Sequence, residues 1–73
     1  MPHITITLYP GRTPETLEKM AQALKQSMMD ATGMPAGALS VSFVEKAPDE
    51  FEGFIKERLK EETLLIDSDY VKA

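Results

Sequence analysis

The chain has 73 residues, a formal net charge of −4, no cysteine and a single histidine. That inventory excludes disulfides, thiolate metal sites and any multi-histidine metal centre within one chain. It also argues against nucleic acid as a partner, since such binding draws on clustered Lys and Arg. Hydrophobic residues make up 42%, too many for a disordered chain. One small domain, residues 1–73, is therefore expected. A domain this short buries little of its surface without help from disulfides, metals or oligomerisation, so self-association is expected to complete the core. No apolar run approaches the ~18–20 residues that span a bilayer, and no basic-then-apolar leader opens the chain. A cytoplasmic location without membrane contact is the expectation.

The chain begins MPHITI. Proline gives no N–H to a ladder, so Pro2 suits only the first position of a strand or an edge. Methionine is efficiently removed before a small residue such as proline. The mature chain is then expected to start at Pro2, with a secondary amine on a rigid ring. Residues 3–9, HITITLY, alternate strictly, with Ile4, Ile6 and Leu8 on one face; this predicts a strand. Pro10-Gly11 ends it with a turn. Arg12 follows, the only positive charge before Lys19, placed to select a small anion.

Thr13-Pro14-Glu15 reads as a helix start, with Thr as N-cap, Pro in the first turn and an acid beside it. Leu17, Met20, Ala21, Leu24, Met28 and Ala31 continue at three- and four-residue steps, an amphipathic stripe. The methionines read as core filler. Gly33 supplies the C-cap and Pro35 bars continuation. Residues 39–44 predict a second strand, with Leu39, Val41 and Phe43 on one face and Ser40 and Ser42 on the other. One long helix between two strands is a β-α-β unit, which joins parallel strands by a right-handed crossover. Pro48-Asp49-Glu50 starts a second, shorter helix with an apolar stripe at Phe51, Phe54, Ile55 and Leu59. Residues 63–73 carry no clear pattern. The fold class is α+β. A two-stranded sheet leaves open edges, and a second copy would give a four-stranded sheet with the helices against one face.

Pro2 directly after Met1, the Gly11-Arg12-Thr13 turn, the long amphipathic helix, a second strand and Phe51 together resemble the 4-oxalocrotonate tautomerase family. Residues 48–70 look like a longer bacterial subgroup with an aromatic after this proline and a tyrosine near the end, here Tyr70. The resemblance implies a cofactor-independent isomerase in which Pro2 is the general base. It implies that Arg12 binds the substrate carboxylate and that Phe51 forms an apolar wall. The best-known members carry a further arginine in the second strand, reaching the substrate from a neighbouring subunit. Ser40 stands at that place here, a departure that bears on the substrate.

Keto–enol proton transfer needs a base that is neutral near pH 7 and an acid afterwards. An amine in an apolar pocket beside a cation is pushed toward its neutral form. Ile4, Leu8 and Phe51 would supply the pocket, partly across a subunit boundary, and Arg12 the cation. The implied substrates are 2-hydroxydienoates or arylpyruvate enols. Two other readings stay open. Hydration or dehalogenation of unsaturated acids on the same scaffold needs a carboxylate to activate water, for which Glu45 and Glu50 are the nominees. A non-catalytic oligomeric ligand-binding module needs neither. A homodimer is expected over a hexamer. Ser40 and Ser42 read as packing or hydrogen-bonding residues at a subunit contact rather than as catalysts, although Ser40 occupies a substrate-binding place in the resemblance; His3, on the face opposite Ile4 and Ile6, reads as non-functional.

Overall fold

A computed structural model describes residues 1–70. The order is β1 (His3–Leu8), α1 (Pro14–Thr32), a single 3-10 turn (Ala36–Ala38), β2 (Ser40–Glu45) and α2 (Pro48–Arg58). The strands pair in parallel, with His3 opposite Ser40 and Leu8 opposite Glu45. This is the β-α-β unit that the alternation and the single long helix predict, followed by the shorter helix.

The helix signals act as read. Thr13 Oγ1 accepts the Thr16 backbone N–H at 3.2 Å, and Pro14 opens the helix where no donor is needed. Gly33 ends α1 at φ 77°, its N–H bonded to the Met29 carbonyl at 2.8 Å. Leu17, Met20, Ala21, Leu24 and Met28 are half-buried, whereas Ala31, in the last turn, is exposed. In α2, acids at 49 and 50 and basic residues at 56 and 58 follow the helix dipole.

Both strands are displaced slightly from the sequence reading, for backbone reasons. Tyr9 precedes Pro10, which has no N–H, and the ladder closes one residue earlier with the Lys46 N–H on the Leu8 carbonyl at 2.9 Å. Leu39 has its N–H engaged with Ala36 in the 3-10 turn at 3.3 Å, so β2 starts at Ser40. Pro2 sits just outside β1, contributing only its carbonyl, which accepts the Ser40 N–H at 3.4 Å. A missing donor costs nothing there.

In the register, Ile4–Val41 and Ile6–Phe43 share one face, and His3–Ser40 and Thr5–Ser42 share the other. Leu8 and Leu39, on the apolar side, are the only buried hydrophobic residues among those described. Each contributes roughly 1.5–3 kcal/mol of burial. The rest of the apolar face is half-buried. α2 stands on the opposite face, where Ile55 and Arg58 share a hollow with Thr5 and Thr7. The two helices of one chain are thus not on one face. A radius of gyration of 13.6 Å exceeds the ~11 Å of a compact chain of this length. The fold is open, with little core of its own. No helix among the described residues is long and apolar enough to cross a membrane.

Candidate active site

The residues singled out by sequence fall at the two ends of β1. At its C-terminal end, Leu8 anchors the strand and Tyr9 emerges half-exposed. Gly11, at φ 121°, turns the chain in a conformation open to glycine and strained for other residues. Arg12 leaves this turn with Nη1 donating to the Tyr9 carbonyl at 3.4 Å. Its guanidinium takes part in none of the ion pairs among the described residues, which join Lys56–Glu52, Arg58–Glu62 and Lys60–Glu57. An uncompensated guanidinium with a fork of donors suits a carboxylate.

Phe51 comes to the same place from α2. The chain leaves β2, turns at Ala47–Pro48, and Phe51 N–H bonds the Ala47 carbonyl at 3.0 Å. One turn into the helix, its ring meets Tyr9 edge to face, centroids 5.0 Å apart at 81°. Lys46 Nζ lies 4.7 Å from the Phe54 ring and holds the same end of α2 from its other side. Thr7, Leu8, Tyr9, Arg12 and Phe51 enclose a hollow of about 230 Å³. Beyond the Tyr9–Phe51 pair lies a larger cavity of about 580 Å³, walled chiefly by Ile55, Leu59, Leu64 and Ile66.

At the N-terminal end, Pro2 is half-buried and Met1 is 99% exposed. While Met1 is attached the Pro2 nitrogen is an amide and no base. His3, beside it, bonds Ser40 Oγ through Nδ1 at 2.6 Å and Ser42 Oγ through Nε2 at 2.9 Å. A neutral imidazole has one donor and one acceptor nitrogen, and both are engaged here. Thr5 Oγ1 extends the chain of hydroxyls to Ser42 at 3.4 Å. Ser40 thus faces His3 on the polar side of the sheet and does not join Arg12.

A strand rises ~3.3 Å per residue, so the Pro2 end of β1 lies ~20 Å from the Leu8 end. The structure brings Arg12 and Phe51 together and places Pro2 and Ser40 at the far end. Within one chain, Arg12 lies too far away to hold a carboxylate at Pro2 or to repel a proton from its nitrogen. Glu45 and Glu50 are exposed and line neither the Arg12 hollow nor the larger cavity. Among the described residues no cluster of three His, Cys, Asp or Glu side chains is placed to hold a metal ion.

Sequence reading missed three features. Tyr9 reads as the last residue of a strand, and its ring contact depends on where α2 lands. The His3–Ser40–Ser42 bonds follow from the strand register, which equal alternation in both strands hints at. The walls from Leu64 to Tyr70 leave no periodic signal.

A family model described as tautomerase enzyme matches residues 2–52, well over half of the chain. The chain belongs to the tautomerase family. The match starts at Pro2 and takes in Arg12 and Phe51, and the β-α-β fold agrees with it. No curated protein and no solved structure matches the chain. The tautomerase match ends before Ile55, so most of the larger cavity is walled by residues outside it.

Proposed function

We propose that this protein is a cofactor-independent tautomerase acting on enols of 2-oxo acids, either 2-hydroxydienoates or arylpyruvate enols. The observation that carries the reading is the unpaired Arg12 guanidinium beside the Tyr9–Phe51 pair, within a family match that begins at Pro2. After Met1 is removed, the neutral Pro2 nitrogen takes the proton from the enol oxygen, and the ammonium so formed returns it to carbon. Proton count and charge balance over the cycle. Arg12 holds the carboxylate, and the rings of Tyr9 and Phe51 keep water from the conjugated chain.

Separation of the two ends gives the reading a geometric requirement. Two copies paired through β1 in antiparallel fashion bring Pro2 of one copy to Arg12 and Phe51 of the other, twice, around a two-fold axis. The same pairing covers an open strand edge. In that assembly the partner cation and the apolar walls favour the neutral form of the Pro2 amine. Ser40 takes no charge-binding role and fixes His3. Hydration or dehalogenation has less support, because neither nominated carboxylate, Glu45 or Glu50, lines the Arg12 hollow.

The test is conversion of phenylenolpyruvate by protein whose intact mass verifies Pro2 as the first residue. Turnover that rises with pH through one ionisation supports the base. No turnover, with carboxylate binding retained, points to the non-catalytic binding module instead.

A further inference from the structure

We propose that the segment beyond the family match makes this site selective for monocarboxylates carrying an aromatic or bulky apolar tail, and rejects dicarboxylates of the same length. The inference rests on the Arg12 role proposed above and narrows its substrate class. The larger cavity and the Arg12 hollow share the Tyr9–Phe51 pair as a common border, so the two spaces are adjacent. At about 580 Å³ it falls within the few hundred to ~1,000 Å³ of small-molecule sites. A linear dienoate needs far less room than that.

Its chemistry has a direction. The carboxylate end is the guanidinium of Arg12. The middle is hydrocarbon, from Ile55 and Leu59 on α2 to Leu64 and Ile66 in the segment that follows. Among the described residues, Asp67 is the one charged residue lining the cavity, its Oδ1 accepting the Ser68 N–H at 2.8 Å. A ring placed in the middle is desolvated on several sides. A second carboxylate there gains no cation from the described residues and meets the carboxylate of Asp67, so like charge repels it. Ile66 is 89% exposed in the single chain, a rim residue whose replacement leaves the fold intact.

Calorimetric titration with unreactive acids reads the selectivity without needing catalysis. trans-Cinnamate and trans,trans-muconate serve as the aryl monocarboxylate and the dicarboxylate. Cinnamate is expected to bind on the order of tenfold more tightly. Asp67→Lys tightens muconate and shrinks that ratio several-fold; Ile66→Ser weakens cinnamate several-fold and leaves muconate nearly unchanged. Equal or tighter muconate binding, binding of neither acid, or a ratio indifferent to both substitutions overturns the proposal. Selective cinnamate binding by a protein that fails to convert phenylenolpyruvate would leave the selectivity standing and remove the tautomerase reading. Turnover with a dicarboxylate preference would do the reverse.

Discussion

The two ends of β1 differ in almost every physical respect. The Pro2 end is polar and satisfied: His3 has both ring nitrogens on serine hydroxyls, and Pro2 gives its carbonyl to Ser40. The Arg12 end is unsatisfied: a guanidinium without a carboxylate partner among the described residues stands beside an aromatic pair that borders an apolar cavity. One end lacks a ligand-binding group and the other lacks a base. The difference teaches that neither end is a site by itself, so the proposed tautomerase requires unlike ends of two chains to be joined.

The sharpest way to break the comparison is to disable the Pro2 end alone. Retaining Met1, or adding a tag before Pro2, turns the nitrogen into an amide. Phenylenolpyruvate turnover should fall by on the order of 10²–10⁴-fold, the usual worth of a general base. Circular dichroism and sedimentation should be unchanged, since Met1 is exposed and capping the strand end costs the sheet little. Pro2→Ala, processed to a free primary amine, should keep part of the activity.

Disabling the other end should act on binding. Arg12→Ala is expected to raise KM on the order of ten- to a hundredfold, as loss of a charge-assisted bond of about 1.5–3 kcal/mol requires. A smaller change in kcat should accompany it, and steady-state kinetics separate the two. Unchanged KM would remove the clamp.

Phe51→Ala removes the edge contact with Tyr9, about 0.5–1.5 kcal/mol beyond the area lost. It should weaken cinnamate binding and lower the melting temperature by a few degrees. His3→Ala is the contrasting probe at the polar end. Loss of its two exposed hydrogen bonds should lower stability by about 1 kcal/mol, with kcat/KM changing about twofold or less. A large activity loss there would give His3 a role that its engaged nitrogens argue against.

Much of this fold is legible in the sequence because its signals are local. Alternation in HITITL, the Thr13-Pro14 start and the Gly33 stop each express one backbone requirement, met where expected. Leu39 misleads by one residue because alternation reports side-chain facing, whereas its N–H is committed to the turn before it. Arg12 and Phe51 are legible through the family resemblance. Their ~20 Å distance from Pro2 is not, because a resemblance names the participants and leaves open which chain provides them. Tyr9 and the walls from Leu64 to Tyr70 are long-range features whose placement depends on how α2 crosses the sheet.

A subunit-mixing assay tests the joining of the two ends most directly. Arg12→Ala protein with a free Pro2 is unfolded and refolded together with protein that has native Arg12 and a blocked Pro2. Each alone has one broken end in every site. If sites form across a two-fold axis, half of the dimers are mixed and each mixed dimer has one intact site, so activity at low substrate should recover to about a quarter of wild type. Activity no greater than the sum of the two separate variants would contradict a shared site.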